Sequence, residues 1–330
     1  MADPVTGDTT RIDMTSGSAL DALRRMLDES TGRDCPVAER KAAAIRLACV
    51  WEARAPKVGN VHPAAAFDDC RFEDFCAAAD RIAPILAGAD DSSPTRGGGS
   101  LGDRVWRAIL ATREVTSANV NLGIVLLIAP LAASENRAEV AKVLAGMDGR
   151  DGAAVYRAIA LAAPGGVKRD EVDERWDVAG GNREAESEVD LIAAMRMGRD
   201  RDRIALQYAD DFRDFFESVV PVMRSALSQT VEIGEAILRG QLRLMASGRD
   251  TLIERKCGPQ VAEEAVRRAA ACLPASVSGP VDAKEDVTEE WDKGKIADFD
   301  SWLRGDGNRR NPGTTADLIA AALYWLVYHR

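Results

Sequence analysis

Residues 318–328 read Leu-Ile-Ala-Ala-Ala-Leu-Tyr-Trp-Leu-Val-Tyr, an apolar run without a charged side chain. A second apolar run covers Leu122 to Ala133. Both are shorter than the roughly 20 residues that cross a bilayer. A helix that is apolar on all sides belongs in a protein core, so each run predicts a buried core helix.

The composition extends the helical prediction to the whole chain. Of the 330 residues, 46% are hydrophobic but only 5% are aromatic, and the abundant Ala, Leu, Arg and Glu favour helices. Neither an internal repeat nor a Pro-rich linker divides the chain. We predict an all-α fold with one compact multi-helix domain over residues 18–330 and a flexible, disordered tail over residues 1–17.

Hydrophobic periodicity and helix-start residues place the individual helices. The first is expected after Ser18, and the second starts at Pro36. Further helices are expected at Phe72–Leu86, Leu101–Ala111, Val120–Ala133, Arg137–Ala145, Gly152–Ala162, Glu184–Met197, Arg201 to about Met245, Pro259–Ala271 and Thr314–Tyr328. Pro221, Gly234 and Gly240 are expected to break the longest of them.

The charge balance excludes one class of partner and favours another. Lys and Arg total 43 against 53 Asp and Glu, a net charge of −10, and no basic run could follow a nucleic-acid backbone. We expect neither a nucleic-acid nor a membrane partner. An anionic substrate would need a local cationic pocket, or Mg²⁺ to bridge it to carboxylates. The six cysteines form no C-x-x-C pair and the acidic N-terminus lacks an apolar signal, which indicates a cytoplasmic location.

The most conspicuous polar segment is Glu52-Ala-Arg-Ala-Pro-Lys-Val-Gly-Asn-Val-His62. An apolar helix ends at Glu52 and passes into a Pro and Gly loop with Lys57, Asn60 and His62. Glycine lets backbone approach a ligand closely, and lysine supplies a point charge for an anion. An ordinary helix C-terminus followed by a turn would look the same.

Two further clusters precede predicted helices. Asn119 and Asn121 stand just before the apolar run at 122–133, where they could cap the helix or help its N-terminus to bind a phosphate. Glu184 and Glu186 belong to an acidic segment that could hold Mg²⁺. The helix dipole also favours acids in a first turn without any metal.

The last two clusters follow in the C-terminal part of the chain. Leu244 to Arg255 contains Asp250 and Arg255, and Arg309 to Asp317 contains Arg310 and Asn311. Each of them alone is also consistent with a plain turn at the start of a helix.

In this order the five clusters resemble the triphosphoribosyl-dephospho-coenzyme A synthase family. Its members carry E-x-x-x-P-K-P-G, a V-N-T…G turn, R-G-E-A-E, L-M-A…D-T…R-x-G and N-x-S-P-G-G-S-A-D-L. The resemblance runs from about Cys49 to Tyr328. It implies a helical enzyme that transfers the triphosphoribosyl group of ATP to the 2′-hydroxyl of 3′-dephospho-coenzyme A and releases adenine.

The resemblance suggests roles for the residues of the five clusters. Glu52 or Asp250 would be the base, and Glu184 and Glu186 would bind Mg²⁺. The remaining candidates would bind the triphosphate and orient the substrates: Lys57, Asn60, His62, Asn119, Asn121, Arg255, Arg310, Asn311 and Asp317.

Two departures from the family pattern leave the acceptor open. Val120-Asn121-Leu122 replaces the usual T-H-K, and His62 stands where Asp is common. One alternative is a related phosphoribosyl transfer that makes cofactors of the tetrahydromethanopterin type. Another is a non-enzymatic helical nucleotide-binding or scaffold protein. The sequence also leaves open whether the chain forms a homo-oligomer and whether the metal is required.

Overall fold

The computed structural model describes residues 17–32, 34–89, 99–162, 189–275 and 291–330. Within these ranges the chain folds into fifteen α-helices and no β-strand. The only β-bridge among the described residues is an isolated antiparallel one between His62 and Ala65. The all-α prediction is confirmed. No described helix is both long and apolar enough to cross a membrane.

Helices α1 to α15 follow in chain order. They are Ala19–Thr31, Val37–Arg54, Phe72–Leu86, Leu101–Arg113, Leu122–Ala132, Arg137–Ala145, Gly149–Ala162, Leu191–Gly198, Arg203–Ala209, Val220–Gln229, Ile233–Ser247, Thr251–Cys257, Pro259–Cys272, Lys293–Arg304 and Gly313–Tyr328. Ser18 starts α1 through a capping box with Asp21, since each residue satisfies a backbone N–H of the other.

The helix α15 lies in the centre of the core. All of its residues from Leu318 to Val327 are buried, and they pack against α1, α2, α5, α10 and α11. Helix α5 is buried along its whole length. Neither helix has a polar face that could lie in water, so both core-helix predictions are confirmed.

Residues 201–245, predicted as one helical run with breaks at Pro221, Gly234 and Gly240, form three helices, α9, α10 and α11. Asp211 and Phe212 adopt positive φ angles of 57° and 60°, and a π-helical segment follows before α10. Pro221 and Gly234 fall in the first turns of α10 and α11. The breaks therefore come just before these two residues, where a first turn tolerates proline.

The predicted break at Gly240 is wrong, because α11 continues through it. A Cβ at Gly240 would lie 2.4 Å from Met223 Sδ in α10, so the glycine serves close helix packing. Helices α12 and α14 were not predicted. The first has only seven residues, and α14 buries only Phe299 and Leu303, which gives a weak periodic signal.

Helix α14 holds the loop that follows α2. Gly59 in that loop has a φ of +68°, and a Cβ there would lie 2.8 Å from Leu303 Cβ and 3.0 Å from Pro312 Cδ. Both the backbone conformation and the lack of space require glycine. The loop is therefore clamped between α14 and the start of α15.

We expect Gly59→Ala to lower the free energy of unfolding by about 2–5 kcal/mol, combining left-handed strain with overpacking. Gly32 is the matched control, because its φ is +73° but no atom lies within 4 Å of a Cβ there. Gly32→Ala should cost only about 1–2 kcal/mol. Equal losses in urea unfolding would contradict the clamp.

Candidate active site

A cavity of about 570 Å³ opens where several helix ends meet. Its wall combines the C-terminal end of α2, the loop after it and the starts of α5, α9, α12 and α15. Seven predicted site residues line it: Glu52, Asn60, Asn119, Asn121, Arg255, Asn311 and Asp317. Segments that are distant in sequence thus contribute polar groups to one space.

Glu52 and Lys57 form a buried ion pair at the base of the loop. Lys57 Nζ lies 2.9 Å from Glu52 Oε1, and the side chains are 1% and 4% exposed. The ammonium group also donates to the main-chain carbonyl of Glu52. Burial raises the pKa of Glu52, and Lys57 opposes that shift. Lys57 does not line the cavity, so its charge stabilises the loop, and its predicted role in triphosphate binding stays a prediction.

Two partners that the sequence did not reveal hold the next residues of the loop. Gln241 of α11 accepts from Val58 N at 2.9 Å and donates to Asn60 Oδ1 at 2.9 Å. Asp300 of α14 accepts from Gly59 N at 2.7 Å. These bonds fix the direction in which Asn60 enters the cavity.

His62 and Arg310 lie outside the cavity lining. The imidazole Nδ1 of His62 accepts from Ala64 N at 3.3 Å, within the bridge to Ala65. Arg310 donates to the Trp302 carbonyl at 2.9 Å and lies 4.6 Å from the centre of the Trp302 ring. The structure therefore gives both side chains local partners.

Asp250, a predicted base, serves as the N-cap of α12. Its Oδ1 accepts from Leu252 N and Ile253 N at 2.9 and 3.1 Å. Its Oδ2 accepts from Thr315 N and Oγ1 at 2.8 and 2.7 Å. Four donors occupy the carboxylate and it does not line the cavity, so it links α12 to α15, and its role as the base stays a prediction.

The cationic side of the cavity lies at α12. Arg255 pairs with Asp202, whose other oxygen caps α9 by accepting from Ile204 N at 2.8 Å. Lys256 Nζ donates to Asn311 Oδ1 at 3.2 Å. Asp202 and Lys256 were not predicted. Asp202 lies in the segment Arg199 to Arg203, where Arg and Asp alternate, and such a segment is typical of a solvent-exposed surface.

The start of α5 forms the opposite wall. Asn119 Oδ1 accepts from Leu122 N at 3.3 Å, so this residue helps to cap the helix. Asn121 is 5% exposed and its Nδ2 donates to Thr112 Oγ1 at 2.9 Å. The asparagines thus support the helix start and also line the cavity, while phosphate binding there stays a prediction.

The predicted metal ligands Glu184 and Glu186 lie outside the described residues. Among the residues that are described, no group of three His, Cys, Asp or Glu side chains could hold a metal ion. The described carboxylates Glu52 and Asp202 already face cations. Mg²⁺ binding therefore stays a prediction.

Lys57→Met should lower the free energy of unfolding by about 3–5 kcal/mol, because it leaves the buried Glu52 carboxylate without its counter-charge. The double variant with Glu52→Leu should recover most of that loss. Arg267→Ala is the control, since its pair with Glu264 is exposed and should contribute at most about 1 kcal/mol. A Lys57→Met loss no larger than this, measured by denaturant unfolding, would contradict the buried-pair account.

Comparisons with known proteins identify the family of this chain. The family model for ATP:dephospho-CoA triphosphoribosyl transferase matches residues 38–329. A crystal structure from Archaeoglobus fulgidus, described as a candidate triphosphoribosyl-dephospho-CoA synthase, superposes with a TM-score of 0.54 at 21% identity. The match covers 77% of this chain and 97% of that one. No curated protein matches. The family match spans nearly the whole chain, which therefore belongs to the ATP:dephospho-CoA triphosphoribosyl transferase family.

Proposed function

We propose that this cavity is where the chain transfers the triphosphoribosyl group of ATP to the 2′-hydroxyl of 3′-dephospho-coenzyme A and releases adenine. The observation that carries this proposal is the convergence of polar side chains from distant parts of the sequence. One cavity collects polar groups from distant segments, namely Glu52, Asn60, Asn119, Asn121, Asp202, Arg255, Lys256, Asn311 and Asp317. A scaffold protein would have no need to collect them there.

Arg255 and Lys256 support triphosphate binding at one side of the cavity. The Nε atom of Arg255 is buried and has no hydrogen-bond partner among the described residues. A phosphate oxygen would satisfy it, since guanidinium groups suit phosphates. Lys256 adds a second cation, and the N-terminal turn of α5 faces the same space with the positive end of its dipole.

An apolar part of the wall suits a nucleobase. Phe67, Phe75, Ile159 and Met195 line it, and aromatic and thioether side chains pack well against flat rings. The substrate would then lie with its base on this apolar wall and its phosphates at α12. Asn60, Asn119, Asn121 and Asn311 would orient the ribose and phosphates between them.

The reaction displaces adenine from an anomeric carbon, which gains cationic character in the transition state. Carboxylates that line the cavity favour such a centre electrostatically. Glu52 and Asp317 supply this charge from α2 and α15. Mg²⁺, proposed at Glu184 and Glu186, would neutralise part of the triphosphate charge when bound.

The first test incubates the full chain with ATP and MgCl₂, with and without 3′-dephospho-coenzyme A, and measures adenine by chromatography. Adenine that depends on the acceptor is expected. Adenine without the acceptor would indicate a hydrolase. No adenine under either condition would contradict the proposal and point to another donor, another acceptor or no catalysis.

The second test concerns the phosphate side. Arg255→Gln should raise KM for ATP about 10- to 100-fold, because a hydrogen bond to a charged group contributes about 1.5–3 kcal/mol. The matched control is Arg267→Gln, since that exposed side chain pairs with Glu264 on α13. If both variants have the same KM for ATP, the proposal that Arg255 binds a phosphate group is contradicted.

A further inference from the structure

Asp317 is the one charged residue of α15, and it directly precedes the run from Leu318 to Val327, in which every residue is buried. Its half-buried side chain lines the cavity. Among the described residues, no hydrogen-bond donor or cation contacts its carboxylate. The oxygens therefore face the substrate space with their lone pairs uncommitted.

The structure makes room for this carboxylate. A Cβ at Gly123, in the first turn of α5, would lie 2.0 Å from Asp317 Oδ2. Only glycine permits an approach this close between a helix start and a side chain. The packing of α5 on α15 thus fixes where the carboxylate stands.

The other carboxylates near the cavity are occupied. Glu52 pairs with Lys57, and Asp202 pairs with Arg255 while it caps α9. Asp69 is exposed to solvent, and Asp250 has its four donors. A general base must have a free lone pair within reach of the proton that it takes.

We infer that Asp317 is the general base that takes the proton of the acceptor hydroxyl; this assignment rests on the transfer reaction proposed above. The bond between the ribose C1′ and the adenine nitrogen breaks, and adenine leaves with the electron pair. The acceptor oxygen forms the new bond to C1′ and gives its proton to Asp317. That proton then passes to the departing adenine, so charge and atoms balance.

The electrostatic surroundings suit this role. Burial raises the pKa of Asp317 well above its usual range, the carboxylates of Glu52, Asp250 and Asp202 add to the shift, and Arg255 opposes it. These charged groups surround Asp317 from the end of α2, the start of α9 and the two ends of α12. Helix α5 contributes no charged side chain. A base with a raised pKa accepts a proton more readily, and it works only above that pKa.

The direct test uses Asp317→Asn and Asp317→Ala. Asp317→Asn should lower kcat by about 10²- to 10⁴-fold, the usual contribution of a general base, with KM for ATP little changed. Sodium formate should restore part of the turnover of Asp317→Ala, because a small carboxylate can occupy the vacated space. A purely structural role would give no formate rescue.

A second variant keeps Asp317 in place and changes only its surroundings. Asp202→Asn preserves the cap of α9, because asparagine caps as well as aspartate, and removes a charge that raises the pKa of Asp317. The acidic limb of the kcat profile should move to lower pH. This test remains available if the Asp317 variants do not fold.

The outcomes separate the two proposals. If the unaltered chain releases no adenine with ATP and 3′-dephospho-coenzyme A, the proposed function fails and this inference with it. If the unaltered chain is active, only the inference fails when Asp317→Asn keeps more than about a tenth of kcat, a loss well below that of a general base. An unmoved acidic limb in Asp202→Asn would also overturn it.

Discussion

The burial of α15 is the constraint on which the structure depends. From Leu318 to Val327 this helix offers no face to water, so other helices must cover it on every side. Its first residues, Gly313 to Asp317, carry the polar groups, and the two threonines among them are buried as well. These first residues become one wall of the cavity, so the requirement that forms the core also places the candidate base.

The ion pair between Lys57 and Glu52 connects the loop after α2 to the core, because α2 packs against α15. A lysine that is 1% exposed needs a partner, because an unpaired buried charge would be very costly. The pair fixes the start of the loop, while Gln241 and Asp300 fix its middle. As a result Asn60 reaches the cavity while Lys57 does not. The most suggestive cation of the sequence thus has a structural partner, Glu52.

The sequence predicted the fold class and the two core helices because a helix that is apolar on all sides can be recognised from its own residues, without its tertiary contacts. It also predicted seven of the residues that line the cavity, through the order of five short clusters. It could not separate Asp250 from Asp317, since both are acids near a helix start. Their difference comes from Thr315, whose N–H and hydroxyl donate to Asp250 while Asp317 receives no donor from the described residues. Such tertiary hydrogen bonds leave no local signal.

Tertiary contacts also explain why the sequence did not predict Asp202 and Gln241. Asp202 sits in a charge-rich segment, and Gln241 lies inside an ordinary helix. Only their distant partners, Arg255 and the Val58 to Asn60 backbone, give them a role. Conversely, Gly240 looked like a helix breaker because glycine weakens helices, but its contact with Met223 keeps α10 and α11 close.

The most direct test of the account is a crystal structure of the Asp317→Asn variant with ATP and 3′-dephospho-coenzyme A bound. The account predicts the triphosphate against Arg255 and Lys256, and the acceptor 2′-hydroxyl at hydrogen-bond distance from residue 317, about 2.6–3.2 Å. Both nucleotides bound outside the cavity, or an acceptor hydroxyl turned away from residue 317, would contradict it.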